Sequence, residues 1–376
     1  MGLISGSIAL AFTPLFQSAP WILALYPPIL SIRGNVGGIF SGNLSTMLHI
    51  GDVEPKLRNN TKAFYSLIRS TFLLIFIDTM VIGVLAFAFN FFLGNVKMSE
   101  LIFFVIVPSL SCLLAMSIAL PIASFVGIKA FKRGLDPDIF LYPAVSTIDD
   151  VVVTLCYVLC VYLAISTFTL VIMSLILIVL SGVFIILYLR NKEDRLFKRV
   201  LKEAGPMVAV SSILATLGGI GLASLKSKIE RNPAILIIYP ALIDTLGDIG
   251  SIIGSMETTK LALGYTTNFV ETFKDRFTDQ VSIEAAAALM HVLFGIIAFG
   301  LARASGLTPD LFLLIEIALI SNFVSFLFIS VLSLLIATQT FKFGLDPDNF
   351  VIPLVTSFSD FGATFALIMA LSILGV

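Results

Sequence analysis

Apolar residues in this 376-residue chain gather into long unbroken runs, and charged, proline and glycine positions fall between them. The runs occupy 2–18, 20–50, 64–93, 100–128, 139–165, 167–189, 205–225, 233–264, 283–303, 310–338 and 349–375, eleven in all. A helix rises about 1.5 Å per residue, so about 20 apolar residues cross a hydrocarbon core. The pattern predicts an all-α polytopic membrane protein with about 11 transmembrane helices. A transmembrane β-barrel would need short segments of alternating polarity instead.

The runs also repeat. GLDPDIFLYPAVSTIDD at 134–150 returns as GLDPDNFVIPLVTSFSD at 344–360, 210 residues later, with nine of 17 positions identical. Upstream, 26–51 aligns without gaps on 239–264 at an offset of 213. That alignment matches Tyr26, Pro27, Gly34, Thr46, Leu48 and Gly51 with Tyr239, Pro240, Gly247, Thr259, Leu261 and Gly264. Two blocks in one order and at nearly one offset indicate a tandem duplication. Residues 1–166 make a first five-helix repeat, 167–204 an extra helix with a basic loop, and 205–376 a second five-helix repeat. Five crossings per repeat would invert the second relative to the first, and one added crossing makes them parallel. The run at 167–189 has no acid and no charge within it, as expected of such an adaptor.

Composition agrees. Mean hydropathy is +1.05, and 12% of residues are charged against about a quarter in soluble domains. The formal charge of −1 and the lack of a basic stripe with interleaved aromatics exclude nucleic acid as a partner. Placing the N-terminus in the cytoplasm puts 17 of the 23 Lys and Arg in cytoplasmic loops, leaving five outside and Arg33 within a span. That bias follows the positive-inside rule, predicts a multi-pass protein of the plasma membrane with its C-terminus outside, and turns both acidic hinges to the cytoplasm. The loop at 226–231 runs against the bias. No basic n-region or clear cleavage site precedes the first run, so 1–16 reads as a membrane helix. Cys112, Cys156 and Cys160 fall in apolar runs and read as small buried packing residues. His49 and His291 are too far apart in sequence to suggest a zinc site.

Acids inside a membrane are costly and mark ion or proton paths. Asp149 and Asp150 lie about two helical turns past Pro143, and Asp360 is placed likewise past Pro353. In the second span of each repeat, Asn35 aligns with Asp248. The second repeat adds Asp244 and Glu257 where the first has Ser31 and Leu44. Asp244 and Asp248 share a helix face and repel unless a cation lies between them. Both spans are rich in Gly and Ser, which tight helix packing explains without any ligand. Asp78, Glu284 and Glu316 lie alone or near span edges and read as structural or gating residues. In the hinge, Asp136 and Asp346 precede Pro137 and Pro347, a sequence that ends one helix and starts another. Asp138 and Asp348 then fall in a first turn, where a carboxylate is favoured.

A dehydrated monovalent-ion filter is usually built from backbone carbonyls, and the sequence shows no such signature. Mg²⁺ dehydrates reluctantly, keeps several waters and takes one or two carboxylates. One aspartate per repeat, flanked by Thr, Ser and Asn, suits a hydrated divalent cation.

The hinge GLDPDNFVIPLVTSFSD and the spacing of Gly34, Asn35, Leu44, Ser45, Thr46 and Gly51 resemble the membrane domain of MgtE-type magnesium channels. The tandem form is most similar to the duplicated eukaryotic magnesium solute carriers. The resemblance implies five-helix domains whose second and fifth helices line the ion path, paired within one chain as a pseudo-dimeric monomer. It implies that Asp150 and Asp360 are the pore aspartates and that Asn35 lines the path. The chain departs from the family at Asp248, which makes one side more acidic. Asp149, Asp244 and Glu257 are further candidate metal-binding residues. The expected activity is Mg²⁺ transport along a central path between the halves, as a channel or as a carrier coupled to Na⁺ or H⁺. The lipid bilayer is the surrounding partner, and no cofactor is expected beyond the transported ion. An intramembrane aspartyl protease is the alternative, since it also needs two facing aspartates. TLGD at 245–248 lacks the first glycine of the GxGD pattern such enzymes resemble.

Overall fold

Helix is the only regular structure among the described residues, which in this computed structural model are 2–135, 137–262, 277–343 and 347–376. In chain order the α-helices are α1 (Gly2–Ala11), α2 (Thr13–Ser18), α3 (Pro20–His49), α4 (Lys62–Phe92), α5 (Leu101–Lys132), α6 (Pro137–Ile165) and α7 (Thr167–Asn191). They continue as α8 (Arg195–Ser224), α9 (Lys226–Arg231), α10 (Ile235–Ala262), α11 (Phe277–Ala304), α12 (Leu311–Lys342) and α13 (Pro347–Ile373). Seven of these segments are long and apolar enough to cross a membrane, or eight if the bent α8 is one span. The polytopic reading stands at that count, short of the eleven expected. The run at 2–18 is broken at Phe12 into two short helices, and α3 and α10 are not among the seven.

Local chemistry sets the helix ends. Thr61 caps α4 by accepting from the Phe64 amide at 3.3 Å, and Asp310 caps α12 by accepting from Phe312 and Leu313 at 2.9 and 3.3 Å. Gly134, the first residue of the acidic hinge, has φ +70° and closes α5. Its amide donates to Phe131 O at 3.0 Å and that of Leu135 to Ala130 O at 3.1 Å, the pattern of a Schellman cap. Pro137 then opens α6, and Pro347 opens α13. The hinge is thus a helix stop followed by a helix start. Asp136, Asp346 and the side chains of Asp138 and Asp348, on which the capping expectation rests, lie outside the described residues.

The chain divides into two compact units whose limits are not those of the repeats. One comprises Ser18–Gly219, the other Met1–Gln17 with Ile220–Val376. In the first, α3 packs on α4, α5 and α6, and α7 lies against α4, α5 and α6 with most of its surface exposed. The start of α8 is tied in by Asp194, which caps it through the Leu196 and Phe197 amides and accepts from Ser66 Oγ at 2.8 Å. In the second unit, α10 packs on α1, α11, α12 and α13.

Glycines explain why each unit houses the opening helix of the other repeat. A Cβ on Gly6 of α1 would overlap the Ile237 carbonyl oxygen of α10. A Cβ on Gly219 of α8 would overlap the Ala24 carbonyl oxygen of α3. Gly219 lies 213 residues after Gly6, and Ile237 lies 213 after Ala24, so the two contacts are one contact made twice. Close backbone approach through small residues is how helices associate where lipid removes the hydrophobic drive.

Candidate functional site

In the unit 18–219, α6 carries Asp149 and Asp150 against α3, and both are buried at 3% and 1% exposure. Asp149 faces α3 at Gly37, where a Cβ would stand 3.4 Å from Asp149 Oδ2. Asn35 is buried two residues before Gly37, with its amide nitrogen 3.5 Å from Ser31 Oγ. One turn beyond Asp150, Thr154 Oγ1 lies 3.5 Å from the hydroxyl of Tyr26, which is fully buried on α3. The Tyr26 ring stacks on Tyr157 at 5.9 Å between centroids, and the Tyr157 hydroxyl donates to the Ile22 carbonyl.

The second unit repeats this arrangement with different polar partners. Asp360 on α13 is 8% exposed. One turn on, Thr364 Oγ1 donates to the Asp360 carbonyl at 3.1 Å and lies 2.8 Å from the hydroxyl of buried Tyr239 on α10. The single Thr364 proton is committed to that carbonyl, so Tyr239 donates to Thr364. The chain Tyr239 to Thr364 to Asp360 fixes the rotation of α13 about the aspartate.

Gly247 of α10 faces α13, with its Cβ position 3.8 Å from Thr356 Cγ2, one turn before Asp360. Asp248 follows it directly and is half-buried, as is Asp244. These two acids stand where the first repeat has the neutral pair Ser31 and Asn35. Asp244 Oδ2 approaches Gly2 of α1, where a Cβ would lie 2.9 Å away. Glu257 is buried more than two turns further along α10.

Each unit thus brings its fifth-helix aspartate beside its second helix, as the repeat pattern implies. Tyr26 and Tyr239 entered the sequence reading only as matched repeat positions, and Thr154 and Thr364 escaped it, although each threonine follows its aspartate by four residues in both repeats. Among the described residues no three of His, Cys, Asp and Glu converge into a ready metal cage. Cys112, Cys156 and Cys160 are buried free thiols. The side chain of Arg33 lies outside the described residues.

Known proteins match over the same segments. The sequence profile of MgtE, described as a divalent cation transporter, matches residues 26–160 and 239–370, well over half the chain. Solute carrier family 41 member 3 of Mus musculus is 21% identical over 373 residues, covering 92% of this chain and 74% of its own length. The Rattus norvegicus protein of the same name is also 21% identical over 373 residues, covering 92% and 78%. No solved structure matches.

Proposed function

Because the chain belongs to the MgtE divalent cation transporter family, we propose that it carries hydrated Mg²⁺ across a membrane along one route to which both repeats contribute. In this reading Asp150 and Asp360 bind the ion, and Asn35, Asp248, Asp149, Asp244 and Glu257 line the way to them. The observation that carries it is the recurrence of one constellation in both repeats. A fifth-helix aspartate is followed one turn later by a threonine that meets a buried second-helix tyrosine. A buried aspartate in each repeat, with a threonine and a tyrosine hydroxyl one turn away, suits a cation that keeps its water. The first repeat has neutral Ser31 and Asn35 where the second has acidic Asp244 and Asp248, so the two repeats bring unequal charge to the route.

The rest of the proposal follows the sequence. The chain works as a pseudo-dimeric monomer in the plasma membrane, with its N-terminus in the cytoplasm, and 167–189 restores the parallel sense of the repeats. Family membership gives no support to the protease alternative. The test is Mg²⁺ flux in proteoliposomes. Asp150→Asn combined with Asp360→Asn should lower flux at limiting Mg²⁺ by at least about tenfold, which is about 1.4 kcal/mol of ion binding. Unchanged flux in that double variant sinks the assignment.

A further inference from the structure

Asp78 is not among the residues assigned to this route. It lies midway along α4 and is 0% exposed, and Ser212 of α8 donates to its Oδ1 at 2.7 Å. Its Oδ2 is buried and has no hydrogen-bond partner. Ser212 stands just past a 40° bend of α8 between Met207 and Val210, in a helix that also contains Pro206. That segment opens the second repeat yet packs in the unit 18–219, so the Asp78–Ser212 bond fastens the exchanged helix to the first repeat.

The second repeat has no matching carboxylate. A Cβ on Gly83 would overlap the Phe104 carbonyl on α5, and one on Gly295 would stand 2.8 Å from Ile315 Cα on α12. Aligning these two glycines sets Met290, 45% exposed, opposite Asp78. Asp78 therefore occurs once per molecule and off the duplicated pattern.

Among the described residues no cation pairs with Asp78. The α5 helix presents Cys112, whose thiol interacts electrostatically with Asp78 and with Cys156 and Cys160 of α6. The apolar part of α7 brings none before Tyr188. On α8 the nearest in sequence are Lys202 and Glu203, more than two turns before Ser212, and α3 carries His49 at its end and Arg33; the side chains of Glu203 and Arg33 lie outside the described residues. An ionised carboxylate sealed from water with one hydroxyl donor and no cation is costly, and a proton removes that cost. A dehydrated monovalent metal ion needs a shell of oxygens to replace its water, and among the described residues one hydroxyl bonds this carboxyl.

We propose that Asp78 with Ser212 is a proton-binding site through which transport is coupled to a counter-moving proton. The inference rests on the transport reading above. With its proton, the carboxyl stays packed against α8. Without it, the carboxylate draws in water and loosens the segment beyond the bend. Each cycle moves one divalent ion one way and returns the proton of this single carboxyl the other way.

Reconstituted full-length protein with a pH dye and a Mg²⁺ dye inside the vesicles tests this. Wild type should move about one proton against each Mg²⁺, since one carboxyl binds one proton. Asp78→Asn keeps an oxygen to accept from Ser212 but cannot carry a proton, so it should lose proton movement whatever its Mg²⁺ rate. Proton movement that survives Asp78→Asn overturns the proposal, as does Mg²⁺ flux that follows a Na⁺ gradient and moves no protons. Wild type that carries no Mg²⁺ under any gradient instead sinks the transport reading. Infrared spectra against pH decide the proton site even then, and without the Asn variant. A carboxylic acid carbonyl band that Ser212→Ala shifts supports it, and the lack of any such band overturns it.

Discussion

Tyr26 and Tyr239 each meet the threonine one turn past an aspartate, a contact between helices that adds no charge. In the second unit the hydroxyl chain ends on the backbone carbonyl of Asp360. Tyr239→Phe removes the first link and leaves the ring's packing in place. Interhelical hydrogen bonds in membranes contribute roughly 0.6–1.7 kcal/mol, and the variant should melt lower in detergent by that order. Its Mg²⁺ flux should fall less than that of Asp360→Asn, because it disturbs orientation and keeps the charge. Tyr26→Phe should cost less stability than Tyr239→Phe, since its contact with Thr154 is longer, 3.5 against 2.8 Å. Equal losses from the two variants would show that the longer contact is as strong as the shorter.

Among the elements, the opening helices of the repeats depend most on single atoms. At Gly6 and Gly219 the obstacle to a side chain is a backbone carbonyl, which cannot turn aside as a flexible side chain can. Gly6→Ala and Gly219→Ala should each destabilise the protein by about 1–3 kcal/mol, the usual cost of overpacking. Gly182→Ala on α7 is the contrasting case. Nothing stands within 4 Å of its Cβ position, and alanine favours a helix by about 1 kcal/mol over glycine, so stability should hold or rise. Thermal unfolding of the three variants in one detergent checks both statements. The α5–α6 hinge follows the same logic, since Gly134 adopts a φ of +70° that other residues resist. Its acids belong to the joint only through Pro137, where α6 begins.

For the whole molecule, the sidedness of the two hinges is the property that the extra helix should govern. Leu135 and Phe343 are exposed beside them, at 43% and 76%. With the three buried cysteines replaced, Leu135→Cys and Phe343→Cys should both react with a membrane-impermeant maleimide from the cytoplasmic side. Reaction from opposite sides would mean antiparallel repeats. Much about this protein was legible in the chain alone. Helix content, the duplication, the helix stop and start at 134–137 and the fifth-helix aspartates follow from hydropathy, spacing and residue chemistry, which act within a few turns of helix. Other features required the tertiary structure. Gly6 and Gly219 reveal that backbone must come close, but a glycine carries no sign of whose backbone it will be. Thr154 and Thr364 look like ordinary hydroxyls in an apolar run until the tyrosine arrives from another helix. Asp78 likewise reads as an isolated acid until α8 brings Ser212 to it from 134 residues away. Lipid specifies a helix from its own sequence, whereas the partner of each buried polar group is chosen by packing between helices that the sequence keeps far apart.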